Sequence, residues 1–128
     1  LRRFSESDPR KALVVTAVDP RIHFALVCAS NSCPPITFYD AARLDDQLNV
    51  AARSFFNRGG IEIDKPSGVV GLSSIFKWYK PDFGGTEEKV LESITPYLKG
   101  EYRGFLKTNK NLTVRYLSYD WNLNRSIS

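Results

Sequence analysis

Sulfur, imidazole and long apolar runs are all scarce in this 128-residue chain. There is no methionine; the cysteines are Cys28 and Cys33, and the one histidine is His23. Two cysteines with four residues between them and one imidazole do not supply the paired short spacings or the four ligands of a structural zinc site, so no metal and no cofactor is expected. No apolar run approaches the roughly 20 residues that a helix needs to cross a bilayer, which excludes a membrane span in this segment. Eighteen Lys and Arg face 14 Asp and Glu, a net charge of +4. The basic residues are scattered, with Arg2-Arg3 and the stretch 107–110 as small clusters. A nucleic-acid partner would ask for a concentrated basic stripe with interleaved aromatics, and none is expected. Repeats and low-complexity tracts are missing as well, which leaves one globular domain over 1–128, large enough to bury roughly two thirds of its unfolded surface. The chain does not open on methionine, and Leu1-Arg2-Arg3-Phe4 reads as the exit of an element that began upstream. The expectation is a domain truncated at its start, whose cellular location is not legible from this end.

What is present alternates between two periods. Residues 11–18 are rich in Val, Leu and Ala and read as a short strand, followed by a second over 22–28. In that second run Ile22, Phe24, Leu26 and Cys28 would share one side and His23, Ala25 and Val27 the other, so it reads as a strand covered on both faces. From Asp40 the period becomes helical through Leu44, Leu48, Ala52 and Phe55, with Asp40 as N-cap and Gly59-Gly60 as stop. Ile61-Glu62-Ile63 alternates like a strand, and Lys65-Pro66-Ser67-Gly68 turns the chain back. Ser73 caps a short helix through Ile75, Phe76, Trp78 and Tyr79, stopped by Pro81 and Gly84-Gly85. Thr86 starts another, with Glu87 and Glu88 at the positive end of its dipole and Pro96 shortening it. After a loop through Gly100 and Gly104, residues 112–119 read as a strand. The sum is an α/β or α+β domain, a small mixed sheet covered by about three helices.

Residues 19–35 concentrate the chemistry, because they place the histidine and both cysteines within eleven positions. That segment, the stretch 73–79 with Asp82-Phe83 after it, and the ending 119–124 together resemble one family, the domain of unknown function 547 (DUF547). The resemblance covers nearly the whole chain. It implies a further N-terminal portion ahead of Leu1, and it carries a distant analogy to papain-like and transglutaminase-like cysteine enzymes rather than an assigned reaction.

A thiol nucleophile needs a base within hydrogen-bond reach, and the base needs a third group to hold its ring. On a regular strand His23 and Cys28 point to opposite faces, and Cys28 shares its side with Phe24 and Leu26, so it reads as a buried, inert thiol. Cys33 follows a chain reversal at Ser30-Asn31-Ser32 and precedes Pro34, which holds it in extended backbone near a strand exit. Cys33 is therefore the candidate nucleophile and His23 its base, with Asp19 or Asp120 as orienter. Arg21, Asn31, Ser32, Trp78, Asp82 and Trp121 are the candidate binding residues, since carboxylates and amides beside large aromatics often line ligand pockets. Against this stands a core histidine satisfied by a backbone carbonyl, with aromatics that simply pack. A Cys28–Cys33 disulfide is a further alternative. The function expected from these residues is a thiol-dependent hydrolase or acyl transferase, with a non-enzymatic module that binds a peptide or protein as its rival.

Overall fold

The structure, a computed structural model, describes residues 4–35 and 37–125. The reading of Leu1-Arg2-Arg3 as the exit of an earlier element therefore lies outside the described residues. The fold is α/β, with four α-helices and a three-stranded mixed sheet among the described residues. The strands are β1 (Ile61–Asp64), β2 (Val69–Leu72) and β3 (Thr113–Tyr116), in the order β1-β2-β3. β1 and β2 form an antiparallel hairpin with Ile61 opposite Leu72, whereas β2 and β3 run parallel with Val70 opposite Val114.

The central strand β2 was not expected; Val69-Val70-Gly71-Leu72 follows a turn and is too short to declare a period. Its position between two partners explains its burial, since Val70 and Leu72 are fully enclosed. Gly71 leaves room on the other face for Leu117, whose side chain lies 2.8 Å from where a Cβ would stand.

The helices are α1 (Leu44–Phe55), α2 (Ile75–Trp78), α3 (Glu87–Ile94) and α4 (Gly100–Thr108). α1 and α3 follow the expected periods, burying Leu48, Ala52 and Phe55 in one case and Val90 and Ile94 in the other. Asp40 caps a single 3-10 turn, Ala41–Arg43, that leads into α1, and accepts the amide of Ala42 at 2.9 Å. At the far end α1 relaxes into a wide turn, Phe56–Gly60, in which Gly59 takes a φ of +102°. Pro96 shortens α3 as anticipated by forming the 3-10 turn Thr95–Tyr97. α4 corrects an expected loop: Gly100 and Gly104 lie inside a helix that buries Leu106.

The largest correction concerns the first 35 residues, where neither expected strand forms. Residues Pro9–Leu13 and Pro20–Phe24 are 3-10 turns instead. The cause is a tripeptide that occurs twice, Asp8-Pro9-Arg10 and Asp19-Pro20-Arg21. In each copy the aspartate accepts the amide of the arginine at 3.0 Å, the proline occupies the first helical position with its φ already set, and the arginine side chain folds back on the same carboxylate. These local bonds outweigh the strand preference of the valines and leucines that follow. The second turn drives Phe24 into the core among Phe55, Phe56, Phe76 and Phe83, with ring centroids 5.0–6.0 Å from its own. Fully burying one such side chain stabilises by about 1.5–3 kcal/mol. Leu26 and Val27, expected to be covered, stay exposed beyond the turn.

Candidate functional site

The expected thiol–imidazole pair is not what the fold assembles. The Pro20–Phe24 turn buries His23, whose Nε2 lies 2.8 Å from Asp82 Oδ2 and whose ring stacks 4.1 Å from Tyr79 at 24°. Its second aromatic neighbour, Phe83, is 5.6 Å away. The orienting carboxylate of His23 is thus Asp82, supplied by the Lys80–Phe83 turn, and neither Asp19 nor Asp120 takes that place. Among the described residues no hydrogen bond joins His23 to Cys33.

Asp19 is engaged by Arg21, with Nη2 to Oδ2 at 2.5 Å, and this partner holds its carboxyl below the usual carboxylate range. Arg21 also donates to Asn49 Oδ1 at 2.9 Å and pairs with Asp45 at 2.7 Å. This expected binding residue therefore ties the turn to α1, with every strong hydrogen bond directed at the protein itself.

Residues 28–33 form a tight loop clamped by the C-terminal segment. A bridge pairs Ser30 with Leu123; Asn31 N donates to Asn122 O at 2.8 Å, and Asn124 N donates to Ala29 O at 2.8 Å. Asn31 Nδ2 donates to Asp120 Oδ2 at 2.9 Å, and Ser32 Oγ accepts the amide of Asp120 at 2.8 Å. The bond from Asn31 is the main reason that the Asp120 carboxyl sits below its ordinary value. Asn31 and Ser32, expected at a ligand, and Asp120, expected to orient the imidazole, here hold the loop shut. Ala29 pays for the closure with a φ of +62°, a left-handed conformation that costs a non-glycine residue about 1–2 kcal/mol.

Closing the loop reverses the two cysteines' expected environments. Cys33 is buried: its Sγ accepts the amide of Cys28 at 2.8 Å and donates to Leu26 O at 3.7 Å. Cys28, expected to be inert in the core, is exposed, and its Sγ lies 3.3 Å from Ser30 Oγ and 3.7 Å from the Tyr119 hydroxyl. Ser30 Oγ in turn donates to the Tyr119 hydroxyl at 3.4 Å. Hydrogen bonding with Ser30, then with the Cys33 thiol, whose protons can turn toward the Cys28 sulfur once it ionises, lowers the Cys28 pKa from 9.0 to about 7. Burial pushes the Cys33 thiol the other way. Both sulfurs are free thiols.

Tyr119 connects this loop to an exposed aromatic group. Trp78 and Trp121 stack at 5.7 Å, and Tyr119 lies 4.6 Å from Trp121 and 5.0 Å from Trp78. A cavity of about 270 Å³ is lined by Cys33, Asn31, Ser32, Arg58, Ser118 and Tyr119. Ser30 and Tyr119 were not anticipated as site residues. The available signal was the Cys28-Ala29-Ser30 spacing together with a tyrosine directly before Asp120, and it becomes readable only once the strand over 22–28 is given up.

Residues 1–56, which contain both Asp-Pro-Arg turns, His23 and both cysteines, match the family described as protein of unknown function, DUF547. The chain is DUF547-like over this stretch. Tyr119, Asp82 and the aromatic group come from beyond the matched residues, so the fold brings the DUF547-like segment together with side chains that the match does not cover. No curated protein and no solved structure matches the chain. No described helix is long and apolar enough to cross a membrane.

Proposed function

We propose that this DUF547-like protein is a thiol-dependent acyl transferase or hydrolase whose nucleophile is Cys28 rather than Cys33. The observation that supports it is the exposed Cys28 sulfur in contact with Ser30 and Tyr119, which act on the thiolate without an imidazole. A thiol that titrates near neutral pH needs no general base to become nucleophilic. The thiolate attacks the acyl carbon, a C–S bond forms, and the bond to the leaving group breaks with its electron pair on the departing atom. Water or a second nucleophile then takes the acyl group and regenerates the thiol. His23 is engaged by Asp82, and among the described residues no hydrogen bond joins it to Cys28, which directs the reading to donors whose leaving group departs as an anion, such as thioesters and activated esters.

The test is p-nitrophenyl acetate and an acyl thioester as donors, with Cys28→Ser, Cys33→Ser and His23→Ala compared. Turnover lost in Cys28→Ser alone supports the reading. Turnover that survives Cys28→Ser ends it, and turnover that needs both Cys33 and His23 restores the pair expected from sequence.

A second reading, a non-enzymatic module for a peptide or protein partner, is favoured by a different observation. Leu13, Val15, Val18, Leu26 and Trp121 are all more than half exposed, apolar side chains that a partner could cover. An inert Cys28 combined with saturable binding of a peptide library would support it.

A further inference from the structure

The two cysteines stand in a relation that a simple nucleophile does not require. The Cys28 amide reaches Cys33 Sγ at 2.8 Å, so that sulfur lies no more than about 4.3 Å from Cys28 Cα once one N–Cα bond is added. In a disulfide the partner sulfur stands about 2.05 Å from Cys28 Sγ, itself two bonds from Cys28 Cα, and a bound of about 4.3 Å from that Cα is compatible with such a bond. The loop between them is already closed in the reduced state, held by the Ser30 bridge to Leu123 and the bonds from Asn31 and Asn124. One thiol is exposed to reagents and the other is sheltered behind it, the arrangement of an attacking and a resolving thiol.

We propose that Cys28 and Cys33 form a redox-sensitive dithiol that a low-molecular-weight disulfide oxidises to an internal bridge, reversibly closing the site. The Cys28 thiolate attacks one sulfur of the disulfide, forming a mixed disulfide while the first reagent thiolate leaves. Cys33 gives its proton to solvent and attacks Cys28 Sγ; the Cys28–Cys33 bond forms and the second reagent thiolate leaves. The protein is oxidised by two electrons and the reagent disulfide is reduced to two thiols. Burial is the main reason that Cys33 resists ionisation, but the Cys28 anion beside it adds to the effect. Forming the mixed disulfide removes that anion, so the resolving thiol becomes easier to ionise at the step that uses it. Loss of acyl transfer on oxidation rests on the function proposed above; formation of the bridge does not.

The experiment treats the full chain with oxidised glutathione, quenches it with acid and iodoacetamide, and maps it with trypsin. Both cysteines fall in one peptide, residues 22–43, between Arg21 and Arg43. The expected product is that peptide lighter by two hydrogens, with no glutathione retained. Cys33→Ser should stop at a stable glutathione adduct on Cys28, and Cys28→Ser should leave Cys33 unmodified. A stable adduct on Cys28 in the unsubstituted chain, or no oxidation at all, overturns the proposal, and this arm does not depend on whether a variant folds. Acyl transfer by the oxidised chain should fall to the level of Cys28→Ser and return with dithiothreitol. If the bridge forms but Cys28→Ser still transfers acyl groups, the proposed function falls while the dithiol stands; if Cys28 is required but no bridge forms, the reverse holds.

Discussion

Alkylation as a function of pH separates the two thiols most directly, because their environments push them in opposite directions. Lowering Cys28 from 9.0 to about 7 raises its thiolate fraction at pH 7 from about one part in a hundred to about one half, roughly fiftyfold. A less basic thiolate is also a weaker nucleophile. With a Brønsted slope of about 0.45, a drop of about 2 in pKa takes back a factor of about eight, leaving a net gain of about sixfold over an ordinary exposed thiol. Cys33 carries the opposite bias, raised by burial and sheltered from reagent. The assay is the iodoacetamide rate at each cysteine between pH 5 and 10, resolved by peptide mass. The Cys28 rate should rise with a midpoint near pH 7 and flatten above it, while Cys33 lags across the range. A Cys28 midpoint at or above pH 8.5, or faster labelling of Cys33, would refute both the loop geometry and the assignment of the nucleophile built on it.

Four further outcomes follow from the same contacts. Ser30→Ala should move the Cys28 midpoint upward by more than Tyr119→Phe does, because Ser30 is the largest cause of the lowering and Tyr119 the smaller one; equal shifts in the labelling profile would contradict this order. Asp82→Ala leaves His23 Nε2 without its partner in a largely buried position, and urea unfolding should report a loss of about 1–3 kcal/mol. Gly60→Ala places a methyl 2.5 Å from the Phe55 ring and 2.9 Å from the Phe55 carbonyl oxygen, at a cost of about 1–3 kcal/mol by the same measurement. The Asp120 carboxyl is lowered in the folded state, so its stabilising contribution is complete above the ordinary carboxylate range and fades as pH falls through the lowered value. Amide exchange at Asn122, which donates to Asp120 Oδ1, should therefore quicken in acid before global unfolding begins; simultaneous loss would count against a local clamp.

How much of this fold the sequence carried depends on where the decisive interaction lay. α1 and α3 bury one face of a regular helix, so their apolar periods of three and four residues were legible without tertiary knowledge. β1 and β3 were legible for the same reason at period two, although β3 is shorter than expected. β2 was hidden because four residues that pair on both sides show no alternation. α4 was hidden because its glycines advertise a loop, whereas Gly100 and Gly104 have open space where a Cβ would stand and mark no turn. The misreading of residues 11–18 and 22–28 had another origin. Their apolar composition favours a strand, but the repeated Asp-Pro-Arg ahead of each specifies a helical start through bonds confined to three residues.

That one misreading propagates directly into the site. A strand over 22–28 fixes alternate faces, puts Cys28 beside Phe24 in the core, and leaves Cys33 as the accessible thiol. Replacing the strand by a 3-10 turn keeps Phe24 and His23 inside but frees the chain after Ala25, so Leu26, Val27 and Cys28 emerge to solvent. The chain then has to return, and the C-terminal segment supplies the partners that fold residues 28–33 back until Cys33 is covered. The segment that holds the histidine and both cysteines was legible, because sulfur and imidazole are rare enough here to mark it. Which sulfur meets solvent was not, because that depends on contacts with Tyr119 and Asn122, about 90 residues away in sequence. His23 follows the same logic: its expected carboxylate partner is Asp19 or Asp120, whereas the turn ending at Phe83 delivers Asp82, which the sequence offers as a candidate binding residue instead. The imidazole is thereby committed to the core, and any thiol chemistry this loop performs must draw its reactivity from hydroxyls and a second sulfur.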